Sequence, residues 1–112
     1  MVEVKAKLSY LRIAPRKVAL VAKLVRGKNA AQAREILKFT PNKPAVSLLK
    51  LLNAAITSAQ LQHKVPAEQL FLKKLLVNEG PTLKRIQPRA RGQAYQIHKR
   101  MTHIQLVLAQ RN

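Results

Sequence analysis

The residues of this chain that could do chemistry are mostly cations. From Gly80 to Arg100 the sequence reads GPTLKRIQPRARGQAYQIHKR, with Lys84, Arg85, Arg89, Arg91, Lys99 and Arg100 and neither Asp nor Glu. Groups of this kind at this density receive anions. The planar Arg fork bridges two phosphates or stacks on an unpaired base, and Tyr95 adds one further stacking surface. Catalysis lacks its parts. His98 and His103 are five positions apart, which sets them on opposite faces of a strand or ~140° apart on a helix, so they cannot share a metal in regular structure. The chain has no Cys, its four acids are Glu3, Glu35, Glu68 and Glu79, and these are scattered in sequence. No nucleophile or metal constellation forms from them. His103 is expected to be structural, hydrogen-bonded near the base of a hairpin, and Glu79 beside Gly80-Pro81 to be a turn or salt-bridge residue. No catalytic residue, metal site or cofactor is expected.

The whole chain repeats the bias of that segment. It has 112 residues, with 22 Lys and Arg against 4 Glu, a formal net charge of +18. A solvated surface normally mixes both signs of charge, whereas self-repulsion of this size calls for a polyanion as partner. An anionic membrane is excluded as a medium to cross. The longest apolar run is about VALVA, Val18 to Ala22, far below the roughly 20 residues that span a bilayer. The N-terminus MVEVKAKLSYLRIAPRK lacks the apolar centre of a signal peptide, and the absence of Cys fits a cytoplasmic setting. One domain is expected at this length.

Several elements must position the cations. Val2, Val4, Ala6, Leu8 and Tyr10 alternate with Glu3, Lys5, Lys7 and Ser9, the period of a half-buried strand. Pro15 suits the first turn of a helix whose apolar stripe is Val18, Val21, Ala22 and Val25, with Arg16, Lys23 and Arg26 opposite and Gly27 just past its end. Asn29 followed by Gln32 predicts a capping box opening a second helix through Ala33, Ile36 and Leu37, stopped by Pro41. A third and longest helix starts near Pro44, with a stripe of Ala45, Leu48, Leu49, Leu52, Ala55, Ile56 and Ala59. After the loop QHKVPAE, QLFLKKLLVN and THIQLVLA predict two strands, the second burying Ile104, Leu106 and Leu108. Val77 and His103 lie about equally far from Ala90, so one long hairpin joins them, with its tip marked by Pro88 and Gly92. The fold class is α+β: three helices packed on a small three-stranded antiparallel sheet, with a long protruding β-hairpin. The body covers residues 1–79 and 102–112, and the arm residues 80–101.

Each strand of such an arm runs about ten residues, which at ~3.3 Å per residue projects it ~30 Å. An isolated two-stranded ribbon is marginal in water, so something must order it. Alternation sends Lys84 and Arg100 to one face and Arg85, Arg89, Arg91 and Lys99 to the other. A sheet lying on a duplex needs cations on one face; an arm threaded into a folded polyanion meets phosphates on both. Ile86, Tyr95, Ile97 and the turn residues favour a shaped ribbon over a flexible basic tail.

The segment VNEGPTLKRIQPRARGQAYQIHKRMTHIQLVL, together with YLRIAPRKVALVAKLVRGK, closely resembles the family of large-subunit ribosomal protein twenty-two, bacterial type. The resemblance runs from about Lys5 to Ala109. It implies a globular body on the surface of the large ribosomal subunit and a hairpin reaching along the nascent-peptide exit tunnel. It implies binding of large-subunit (23S) rRNA, the joining of rRNA domains during assembly, and no enzymatic activity. Neighbouring large-subunit ribosomal proteins and the nascent polypeptide are the other implied partners. The protein would sit as a monomer within the ribosome, with no small-molecule substrate, although macrolides bind the family's ribosomes near the hairpin tip. By the same resemblance Arg12, Arg16, Lys17, Lys84, Arg85, Arg89, Arg91, Lys99 and Arg100 contact rRNA, and Pro88, Arg89, Ala90, Arg91 and Gly92 form the tunnel-facing tip. Ala14 stands where the family often has Ser, Asn78 replaces a usual Asp, and Gln93 a usual basic residue.

The alternative from another class is an architectural DNA-binding protein with basic β-arms. Such proteins dimerise through an apolar face, whereas the stripes here are used by one core, and the tip carries no apolar wedge beside Pro88. A membrane-active amphipathic peptide is the third reading, weakened because the helical stripes are broad enough to pack on a sheet.

Overall fold

The computed structural model describes residues 2–81, 83–88 and 94–110, with 83–88 and 94–99 as backbone. Arg89, Ala90, Arg91 and Gly92 lie outside the described residues. Element order is β1 (Glu3–Leu11), α1 (Pro15–Val25), α2 (Ala30–Lys38), α3 (Lys43–His63), a 3₁₀ turn (Ala67–Gln69), β2 (Leu70–Glu79), β3 (Leu83–Pro88), β4 (Ala94–Lys99) and β5 (Thr102–Gln110). Three strands form an antiparallel sheet in the order β1-β5-β2, and β3 and β4 pair as a second, two-stranded antiparallel sheet. Three helices on a three-stranded antiparallel sheet are the α+β arrangement that the sequence predicts.

The helix stripes become the core. Val18, Val21, Ala22 and Val25 of α1 are buried, as are Ala45, Leu48, Leu52, Ala55, Ile56 and Ala59 of α3, together with Leu51. They meet the inward rows of the sheet, in which Val4, Leu108 and Leu72 align across the strands, then Ala6, Leu106 and Leu75, then Leu8, Ile104 and Val77. Gly27 follows α1 with φ +79°, a left-handed conformation that glycine adopts freely. Its N–H donates to the Leu72 carbonyl at 3.2 Å, which ties the helix end to β2.

Four local expectations are corrected. Tyr10 does not share the buried face of β1: it has φ 60°, sits in an irregularity between Leu8 and Leu11, and is 64% exposed. One extra residue on β1 ends the alternation there. Asn29 caps α2, but its side-chain oxygen accepts from the Ala31 N–H at 2.9 Å and its amide donates to the Glu68 carbonyl at 2.7 Å, so it serves two elements rather than a reciprocal box with Gln32. Val77 pairs with Ile104 and Asn78 with His103, one residue from the mirror about Ala90. Register follows burial: pairing inward Val77 with outward His103 would turn one strand over. Arg100 belongs to neither β4 nor β5, so strand alternation does not assign it a face with Lys84.

Candidate nucleic-acid interface

Arg12, from the N-terminal cations recognised in the sequence, and Arg100, from those of the hairpin, lie at one end of the sheet. Leu11 pairs with Thr102, and the carbonyl of Ile13 accepts a hydrogen bond from the buried Thr102 hydroxyl at 2.5 Å. Arg12 lies between those two anchors, exposed, and is thereby held to the start of β5, two positions after the exposed Arg100. Arg16 and Lys17 follow in the first turn of α1, both exposed. A basic belt therefore runs from α1 through Arg12 to Arg100.

The first turn of α1 is capped by backbone alone. Ala14 is the N-cap residue and makes no side-chain bond. Its carbonyl accepts from the N–H groups of Lys17 at 3.0 Å and Val18 at 3.3 Å. Pro15 has no N–H to satisfy. Among the described residues, the Arg16 N–H is left as the first-turn donor outside that pattern, beside two cationic side chains. Such a helix end favours an anion.

Where the three-stranded sheet gives way to β3 and β4, the chain is tightly fitted. The Gly80 N–H donates to the Met101 carbonyl at 2.8 Å. A Cβ on Gly80 would lie 3.2 Å from that carbonyl oxygen and 3.2 Å from His103 Nε2. His103 Nδ1 in turn accepts from the Tyr10 N–H at 3.1 Å, and the two rings meet edge to face with centroids 4.9 Å apart. His103 is thus structural, as expected, and its hydrogen bond to the main chain sets its tautomer. Glu79 ends β2 opposite Thr102.

Beyond this root, Lys84 pairs with His98, Arg85 with Ile97, Lys99 with Leu83, and Pro88 with Ala94. The described residues hold no cluster of three His, Cys, Asp or Glu that could bind a metal. They include no helix long and apolar enough to cross a membrane. The ion pair among them joins Lys73 to Glu3, and that hydrogen-bonded ammonium holds the Glu3 carboxyl below its ordinary range.

Sequence reasoning missed Thr102, Gly80 and the Tyr10–His103 contact, and it passed over Lys5, Lys7 and Lys74 as surface. Alternation in β1 does signal that Lys5 and Lys7 share a face. Nothing local signals that Lys74 joins them, because a bulge at Lys73 decides it.

The fold and its charge define a strongly basic α+β protein whose described residues hold no metal-binding cluster. Comparison with known proteins is specific. The family described as ribosomal protein L22p/L17e matches residues 6–109. The chain is 44% identical over 109 residues to the large ribosomal subunit protein uL22 of Clostridium novyi, covering 97% of this chain and 98% of that one. It is 48% identical over 109 residues to that of Mycoplasmopsis synoviae (97% and 96%) and 49% identical over 107 residues to that of Mycoplasmopsis agalactiae (96% and 94%). The chain belongs to the ribosomal protein L22p/L17e family, a ribosomal protein and not an enzyme.

Proposed function

We propose that this protein is a structural constituent of the cytoplasmic large ribosomal subunit that binds large-subunit rRNA and helps to join rRNA domains during assembly. In this reading residues 1–79 and 102–112 form a body anchored by Arg12, Arg16 and Lys17, and residues 80–101 form an arm carrying Lys84, Arg85, Arg89, Arg91, Lys99 and Arg100 into folded RNA. The tip, Pro88 to Gly92, lines the nascent-peptide exit tunnel near the region of macrolide binding. Neighbouring large-subunit proteins complete its surroundings, and it acts as a monomer there.

The observation that carries the reading is a two-stranded, acid-free ribbon joined to a compact sheet by a fitted root, in a chain of this family. Overall extents of 65 × 24 × 18 Å support an arm, since a ten-residue strand spans only ~33 Å. The test is binding under varied salt. With six or more phosphate contacts, log K against log salt should fall with a slope of about −4 or steeper, taking the single-strand coefficient for folded RNA. At physiological salt large-subunit rRNA should outcompete random duplex DNA. Equal affinity for the two would favour an architectural DNA-binding protein instead.

A further inference from the structure

The helices cover one face of the three-stranded sheet, and Lys5, Lys7, Lys74 and Leu76 stand exposed on the opposite face. Lys5, Val107 and Lys74 form one row across it, and Lys7, Gln105 and Leu76 the next. These six residues, with Ala6 and Leu106, line a furrow of about 390 Å³. Its lysines stand on the two outer strands with the neutral strand β5 between them, two inter-strand spacings or ~10 Å apart. The bulge at Lys73 makes this arrangement. It keeps Leu72 and Leu75 both buried, yet turns Lys74 outward opposite Val107. The acid on this face, Glu3, is already paired with Lys73 across Ala109. Lys5, Lys7 and Lys74 are exposed and form no ion pair among the described residues, although the Glu3 charge also acts on Lys5 and Lys74.

We propose that this furrow is a second RNA-binding site, in which one RNA strand lies along the sheet with its phosphates between Lys5 and Lys7 on one side and Lys74 on the other. The proposal rests on the reading of the chain as an rRNA-binding protein and adds a face to it. Val107 and Leu76 supply an apolar floor for the riboses. Flexible ammonium groups without Arg or an aromatic platform suit backbone contact rather than base reading, so the site should orient RNA without selecting sequence. A protein partner is less well matched, because the floor offers two apolar side chains within a cationic rim.

The chain has no Cys, so Gln105→Cys can carry a tethered iron-EDTA hydroxyl-radical source at one defined place. In large subunits assembled with this protein, the probe should cut rRNA at a discrete set of nucleotides. Combining Lys5→Gln, Lys7→Gln and Lys74→Gln should weaken those cuts and make the salt slope of rRNA binding shallower by about 2. Incorporation of the probe protein without rRNA cleavage, or cleavage confined to a neighbouring protein, overturns the open-face site and leaves the ribosomal reading standing. If Gln105→Cys blocks incorporation, the salt slope of the triple variant decides, an unchanged slope overturning the site. Failure of the unsubstituted protein to enter large subunits would sink the ribosomal reading itself.

Discussion

Thr102 is fully buried, and its hydroxyl reaches a carbonyl 89 positions earlier in the chain, on Ile13. That bond holds the Arg12 loop against the start of β5. Strand alternation with Ile104 foretells that Thr102 points inward, but no local signal names its acceptor, since only the β1–β5 register brings Ile13 there. Replacing Thr102 with Val removes the donor and strands the carbonyl, so unfolding free energy should fall by about 1–3 kcal/mol in chemical denaturation. An unchanged stability would mean that water satisfies Ile13 in its place. Glu3 offers a second check at this scale. Its carboxyl is lowered first by the hydrogen bond from Lys73 and then by that residue's charge. A carboxylate held low contributes stability above its ordinary pKa and loses it as pH falls through the lowered value. Lys73→Gln should therefore return Glu3 towards the ordinary range in an NMR titration, and the two proteins should converge in stability at acidic pH. A Glu3 titration that ignores the substitution would show that the pair does not persist in solution.

The three helices were legible because each depends on its own period: a stripe at three-and-four spacing has one way to be buried, and Val18, Val21, Ala22 and Val25 are buried together. The sheet was legible in its strands and less so in its irregularities. The bulges at Tyr10 and Lys73 exist because partner strands keep their inward rows aligned, a constraint that neither strand carries alone. The same limit hid the furrow with Lys74, while the cations on α1 and the ribbon were visible as charge. Ala14 shows the opposite case, where a sequence feature translates directly into structure. It is the N-cap of α1 and provides no side-chain acceptor. Its backbone is extended, φ −60° and ψ 139°, the conformation in which a capping Ser works. Ala14→Ser should stabilise the protein by about 1 kcal/mol through a bond to a first-turn N–H. A gain near zero in thermal and denaturant unfolding would mean that the two bonds to the Ala14 carbonyl already fix the turn.

At the scale of the molecule, the backbone pairs into two separate sheets. Among residues whose burial is described, the main core cluster is drawn from the helices, the three-stranded sheet and their connections, with Met101 buried at the ribbon's root, while β3 and β4 pair with each other as a sheet of their own. Stability should divide the same way, because a two-stranded ribbon paired as its own sheet adds little to global unfolding. Excising residues 86–93 and closing the chain with a short turn should therefore shift the thermal midpoint only slightly. The Gly80–Met101 bond and the Tyr10–His103 contact lie below the cut and should survive it. Arg12, Arg16 and Lys17 also remain, so on the proposed function the shortened protein should still enter large subunits, at a rate that Arg16→Glu with Lys17→Glu would slow. What it should lose is the tip: without Pro88, Arg89, Arg91 and Gly92, subunits that assemble normally should respond differently to stalling nascent peptides and to macrolides. Translation of several arrest sequences on such ribosomes reads this out. Collapse of the body on excision would show that the ribbon belongs to the core. Unchanged arrest across all the sequences would show that its tip does not reach the nascent chain.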